Sequence, residues 1–338
     1  MSDDGTDLGL ARQISDGFAL GTPRRMVREA QGAMGRVWRL DSESGSFAVK
    51  ESLRPDDTAT FEIQLEFAAA VSEQANRAGV LVPRARRSRT GSFILPIYNG
   101  RADEPTYVRV ATWIDGWMGV DTAAAASWLG STLAVVETLP DPPTPPRDPW
   151  FQAWFTTVPT IDQWRDLTAR GTRVGADWVS ALTRHLPEFV DLKALVGVPP
   201  ADRLTVAHTD LQPKNVLTTA SGYALLDWDD VAAASRDRVL ARAINDWHLR
   251  AGVIDADSVH TTLASYRAGG GTGTLRNIDA FGDLIAGFLN YLYEQVQVTL
   301  DQSGTEPGTA AADEVQAMTT DPIDMATLRR LSALDDAT

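Results

Sequence analysis

The chain has 338 residues, enough for two folded units, and its 43% hydrophobic and 22% charged content excludes wholesale disorder. It holds no cysteine, which excludes disulfides and thiolate metal sites and fits a reducing compartment. The formal net charge of −14 argues against nucleic acid as a partner, and is compatible with a cationic substrate or with solubility alone.

Residues 1–25 read as an acidic lead-in, without the basic-then-apolar order of a signal peptide. No apolar run reaches the roughly 20 residues of a membrane span, so the expected location is the cytoplasm, with no membrane partner. From residue 26 to 113 the pattern is β-rich. Strands are predicted at 37–40 and 47–50 around a turn at 41–45, and further strands at 92–97 and 107–113. Between them, residues 60–78 carry Phe61, Leu65, Ala68 and Ala69 at helical spacing, with no Pro or Gly. The helical remainder, 114–338, is interrupted by six prolines within residues 139–149, which must form a loop. Trp150, Trp154 and Trp164 follow and are expected to pack. Residues 204–231 return to short strands and loops. Helices are predicted at 238–251, 258–268, 279–300 and 325–333, within an otherwise polar tail beyond Asp301. Gly269-Gly270-Gly271 reads as a connector between helices, and the arginines of residues 77–89 as a solvated edge. The expected fold class is therefore α+β: a β-rich N-terminal lobe, a mainly helical C-terminal lobe, and a nucleotide cleft between them.

The chemistry concentrates in His208-Thr209-Asp210-Leu211-Gln212-Pro213-Lys214-Asn215-Val216-Leu217, followed by Tyr223-Ala224-Leu225-Leu226-Asp227-Trp228-Asp229-Asp230. Phosphoryl transfer asks the protein for a carboxylate that orients the attacking hydroxyl and for oxygen ligands that hold Mg²⁺ against the phosphates. Asp210 follows a predicted strand, 204–207, on an exposed loop where it can accept a hydroxyl proton. Asn215 ends that loop with an amide oxygen. A predicted hairpin, 216–217 with 223–226, returns Asp227 beside it, so that a carboxylate and an amide oxygen converge as Mg²⁺ prefers.

This segment resembles the aminoglycoside phosphotransferase family, relatives of choline kinases and, more distantly, of protein kinases. The shared pattern is H-x-D-x-x-x-x-N and then an apolar hairpin ending I-D-W-[ED], here Leu226-Asp227-Trp228-Asp229. The resemblance implies a protein-kinase-like fold, Asp210 as catalytic base, Asn215 and Asp227 on Mg²⁺, and His208 bracing the loop. It further implies that Gln31-Gly32-Ala33-Met34-Gly35 is a degenerate glycine-rich loop, with Gly32 and Gly35 over the phosphates of ATP or GTP. Phe47-Ala48-Val49-Lys50 then matches the third-strand lysine motif, with Lys50 on the α- and β-phosphates. Such a lysine needs an acidic partner on the next helix; Glu66 is favoured and Glu62 held in reserve. Ala111, Thr112, Trp113 and Ile114, before Asp115-Gly116, match the hinge whose backbone binds the purine. The family's G-D-P-x-x-D-L-A segment departs here to Ala233-Ala234-Ser235-Arg236-Asp237-Arg238-Val239-Leu240, with Asp237 as the candidate for its acidic residue.

Substrate candidates are Gln212, Asp229, and the helically spaced Asp283, Asn290 and Glu294, an acidic set suited to amines. The function expected is transfer of the γ-phosphate to a hydroxyl of an aminoglycoside-like antibiotic, an amino sugar or an amino alcohol. The alternatives are a nucleotide-binding pseudokinase and a metabolic kinase for choline- or homoserine-type substrates. His185, His248 and His260 lack ligand spacing and are read as structural.

Overall fold

The computed structural model describes residues 8–32, 35–52, 58–98, 105–140 and 149–336. The predicted loop of prolines at 141–148 and the first seven residues of the lead-in lie outside them, as does the side chain of Trp150. The chain divides into two units. The first comprises Met1–Val120, Leu139–Pro146 and Lys214–Val231; the second comprises Asp121–Thr138, Arg147–Pro213 and Ala232–Thr338.

In the first unit, helix α1 (Leu8–Gly17) precedes strands β1 (Pro23–Gly32), β2 (Gly35–Ser42) and β3 (Gly45–Ser52). Helix α2 (Thr58–Arg77) follows, then β4 (Ala85–Arg86), β5 (Leu95–Ile97), β6 (Thr106–Thr112) and β7 (Trp117–Met118). The sheet runs β1-β2-β3-β6-β4, with β5 also on β6, and its pairings are antiparallel. The predicted lead-in is corrected here. Ala11, Ile14, Phe18 and Leu20 are buried together with Met26, Leu40, Phe47, Val49, Val108 and Val110, so residues 11–20 close one face of the sheet. A short helix ahead of a strand shows only four apolar positions, too few to stand out in an acidic stretch. Because side chains alternate along a strand, burial of Phe47, Val49, Val108 and Val110 under α1 turns Ala48, Lys50, Arg109 and Ala111 to the opposite face.

The second unit begins with α3 (Ala126–Glu137), α4 (Pro149–Thr156), α5 (Ile161–Val174) and α6 (Val179–Lys193). Strand β8 (Leu204–His208) leads into the loop bearing Asp210. The chain then returns to the first unit as the hairpin β9 (Val216–Thr219) and β10 (Gly222–Leu225), with β7 alongside β9. Gly116 permits that approach: a Cβ there would lie 2.4 Å from the Thr218 carbonyl oxygen. Strand β11 (Val231–Ser235) pairs with β8 and opens α7 (Arg236–His248), followed by α8 (Ala256–Ala268) and α9 (Gly282–Asp301).

The tail beyond Asp301 holds two helices, α10 (Glu306–Thr320) and α11 (Met325–Leu334). Only the second was expected, because α10 packs small residues, Ala311 and Val315 among them, and lacks a strong apolar stripe. Trp164 packs as expected, its ring centroid 5.2 Å from Phe189 and 5.1 Å from Tyr293. Gly130 lets α3 and α8 touch backbone to backbone, since a Cβ would sit 2.2 Å from the Thr262 carbonyl oxygen. No described helix is long and apolar enough to cross a membrane.

At the end of α7, His248 is 2% exposed and its Nε2 lies 2.8 Å from the Thr262 hydroxyl. Burial pushes its pKa down to about 4, below the ordinary 6.5. The unfolded chain therefore takes up a proton near pH 6.5 that the folded chain refuses until about pH 4, and stability falls as pH drops through that window. Urea unfolding at pH 7 and pH 5 is expected to show a loss about 2 kcal/mol larger for the unaltered protein than for His248→Gln. An equal loss in the two proteins would contradict a neutral buried imidazole.

Candidate active site

In the first unit the sheet presents Lys50 and Arg109 directly opposite one another on β3 and β6. The Lys50 ammonium lies 2.6 Å from Asp227 Oδ1 and 2.7 Å from Asp229 Oδ2. Arg109 donates from both terminal nitrogens to the two oxygens of Asp229. Both acids are delivered by the β9–β10 hairpin, in which Val216 pairs with Leu225 and the Leu226 amide donates to the Asn215 carbonyl oxygen at 2.8 Å. The predicted return of Asp227 beside Asn215 is thus realised through the backbone. Asp227 adopts the left-handed region, φ 56° and ψ 59°, which aspartate tolerates better than most residues. Trp228 is buried behind it and donates its indole N–H to the Leu225 carbonyl at 2.9 Å.

Electrostatics separate the two acids. Burial raises the Asp227 carboxyl above the ordinary value and the neighbouring Asp229 charge raises it further, against the pull of Lys50. Burial would also raise Asp229, but the charges of Arg109 and Lys50 overcome it and hold that carboxyl well below the usual range. Asp229 is therefore a committed anion inside an ion-pair network, which corrects its expected role as a substrate contact.

Glu66 is also corrected. It accepts from both terminal guanidinium nitrogens of Arg87, which hold its carboxyl below the ordinary value, while the Lys50 ammonium is taken by Asp227 and Asp229. Glu62, the reserve, accepts from the Phe93 amide at 3.2 Å. On a long helix the spacing fixes a face but not which neighbour reaches it, and Arg87 reaches Glu66 from outside α2.

At the predicted hinge, Ala111 sits in the β3–β6 and β4–β6 ladders, the Thr112 amide donates to Arg84, and the Trp113 amide donates to Ser46. Of the four hinge residues, Ile114 follows the last of these sheet contacts. Gly32 and Gly35 pair across the β1–β2 hairpin, with Ala33 and Met34 outside the described residues.

In the second unit, His208 is buried at the end of β8, and Leu211 is held by the Trp247 indole N–H on its carbonyl at 2.9 Å. Asp210 Oδ1 accepts from Gln212 Nε2 at 2.7 Å and from Arg242 at 3.3 Å. Gln212 thus turns toward the carboxylate in its own loop. Arg242 also lies 3.7 Å from Asp246 and over the Phe155 ring. Asp283 does not face a pocket as a lone acid: Arg238 donates to it at 2.6 Å, and burial raises its carboxyl against that charge. Asn290 donates to the Trp154 and Thr157 carbonyls, so it pins the end of α4, while Glu294 is exposed. Asp237 pairs with Arg203 and accepts from the Thr274 amide at 2.7 Å, a bracing role.

Arg109 and Arg242 were missed. Arg109 carried a signal, since a charge between Val108 and Val110 in a central strand demands a partner. Arg242 carried none beyond its place on a helix.

The chain matches the phosphotransferase enzyme family over residues 28–270. No curated protein sequence matches it. Among solved structures it is similar to a spectinomycin phosphotransferase in complex with ADP and spectinomycin, at TM-score 0.67 and 14% identity, covering 100% of both chains. It is also similar to an amicoumacin kinase in complex with AMP-PNP and Ca²⁺, at TM-score 0.63 and 14% identity over 96% of this chain and 97% of that one. A microcompartment-associated aminopropanol kinase matches at TM-score 0.63 and 18% identity over 97% and 99%.

Arg242 and Gln212 both donate to Oδ1 of the Asp210 carboxylate. With Asp210 as the base that the sequence pattern implies, Arg242→Met and Gln212→Leu are each expected to lower turnover about tenfold, while the Michaelis constant for the nucleotide stays within about twofold, because misplacing such a group costs rate rather than remote binding. A nucleotide constant that rises with unchanged turnover would contradict this. The chain belongs to the phosphotransferase enzyme family and has a kinase-like fold, with a sheet-rich N-terminal part and a helical C-terminal part.

Proposed function

We propose that this enzyme is a cytoplasmic small-molecule kinase that transfers the γ-phosphate of ATP or GTP to a hydroxyl of an amino-group-bearing acceptor: an aminoglycoside-like antibiotic, an amino sugar or a related amino alcohol. The observation that carries the nucleotide half is the ammonium of Lys50 held 2.6 Å from Asp227, with Asn215 tied to the residue before Asp227. The acceptor class is supported by the net charge of −14 and by structural relatives that handle spectinomycin, amicoumacin and aminopropanol.

The donor set fits Mg²⁺. An amide oxygen and a carboxylate, Asn215 and Asp227, are hard ligands, and among the described residues no cluster of three or more His, Asp or Glu side chains forms a complete cage. Mg²⁺ is usually held by one or two protein oxygens together with substrate phosphates. When bound, the ion supplies positive charge to the phosphate oxygens as negative charge develops on them. Lys50 adds a second cation at the α- and β-phosphates. In this reading Gly32 and Gly35, paired across β1 and β2, lie over the phosphates, and the backbone near Ile114 meets the purine edge. Asp210 accepts a hydrogen bond from the acceptor hydroxyl, which orients the hydroxyl lone pair toward the γ-phosphorus, and takes the proton as the new P–O bond forms and the bond to the β,γ-bridging oxygen breaks, releasing the nucleoside diphosphate. His208, buried behind the loop, keeps Asp210 in place.

Release of ADP in the presence of a panel of aminoglycosides, amino sugars and amino alcohols tests the proposal. At least one acceptor is expected to raise ADP release well above the solvent rate, and Asp210→Asn is expected to lower that rate by roughly 10²–10⁴-fold, the usual worth of a positioned acid–base group. Nucleotide binding without acceptor-dependent ADP release across the panel would contradict this acceptor class.

A further inference from the structure

Lys50 and Arg109 stand opposite each other on adjacent antiparallel strands, and like charges so placed repel. Both are largely withdrawn from water, with side chains 24% and 14% exposed. A single carboxylate answers both: Asp229 takes the Lys50 ammonium at 2.7 Å and the fork of Arg109 on its two oxygens. Its backbone carbonyl also accepts from Gln64 of α2 at 3.2 Å. The glutamates of α2 that could have held Lys50 are engaged elsewhere, Glu66 by Arg87 and Glu62 by the Phe93 amide.

We infer that Asp229, clamped by Arg109, is the positioning carboxylate of Lys50, in place of a glutamate from the helix that follows β3. The inference rests on the reading of Lys50 as the contact to the nucleotide phosphates. Asp227 is the other carboxylate on Lys50, but its proposed duty is toward a metal, whereas Asp229 is already neutralised by Arg109. A planar guanidinium bonded to both oxygens fixes the carboxylate in plane, and a fixed carboxylate fixes the flexible lysine. Arg109 is therefore a positioning residue at one remove. Placement of Lys50 then depends on the segment that carries the I-D-W-[ED] pattern and not on which acids α2 presents.

The affinity for ADP, measured by titration calorimetry in EDTA, separates this from other roles, since any duty of these carboxylates toward a metal drops out. Asp229→Asn is expected to weaken ADP binding about tenfold, because the loosened lysine must be ordered on binding. Glu66→Gln is expected to change it less than about twofold, and Arg109→Lys, which keeps the charge but cannot span both oxygens, to weaken it about threefold. In a Lys50→Met background the effect of Asp229→Asn is expected to shrink below about twofold. A purely electrostatic role for Asp229 predicts the opposite sign, tighter ADP binding when the acid is neutralised. Tighter or unchanged binding by Asp229→Asn, an undiminished effect in the Lys50→Met background, or an equal loss from Glu66→Gln overturns the inference. Thermal melts verify folding; where Asp229→Asn does not melt cooperatively, Arg109→Lys carries the test, and unchanged ADP affinity there overturns it. Failure of the unaltered protein to bind any nucleotide would instead overturn the kinase reading itself.

Discussion

The ion-pair group of Lys50, Arg109, Asp227 and Asp229 is the constraint around which the first unit is organised. Two cations on one sheet face are tolerable only with anions between them, and those anions come from a hairpin more than a hundred residues later in the chain. Breaking a fully buried pair by removing one partner costs about 3–5 kcal/mol; the partial exposure of these side chains puts the cost below that. The same four residues thus hold the hairpin against the sheet and assemble charges suited to a nucleotide. Asp227 in its left-handed conformation carries local strain for the sake of that arrangement, as residues at functional sites commonly do.

The legible parts of the sequence were those in which local pattern and chemistry coincide. The strands at Phe47–Lys50 and Tyr107–Thr112 alternate as a half-buried sheet must, and the hairpin before Asp227 is bounded by Ser221-Gly222. Helix α2 was visible because twenty residues without Gly or Pro leave few alternatives. Helix α1 and helix α10 were not, because one is short and the other buries small residues. Neither has a periodicity that local reading can weigh, and α1 is held by packing against strands distant in sequence.

Partner choice was the harder problem. Spacing selected Glu66 as a candidate for Lys50, but which cation meets which acid is settled by tertiary reach, and Arg87 arrives first. Asp283 was read as an acid available to a substrate, and Arg238, one turn before Arg242 on α7, neutralises it. The arginines of α7 temper the acidity of the second unit around Asp210, a feature that a net charge of −14 conceals. Composition reports the sum of charges, and recognition depends on where each is compensated.

The account stands most directly on where a nucleotide and a divalent ion bind in the first unit. A crystal structure with AMP-PNP and Mn²⁺ measures this, because the anomalous signal of Mn²⁺ locates the ion independently of the phosphates. The account predicts one such peak within coordination distance of the Asn215 side-chain oxygen and the Asp227 carboxylate, with the Lys50 ammonium on a nucleotide phosphate. A nucleotide bound away from Lys50, or an ion coordinated by neither Asn215 nor Asp227, would contradict it.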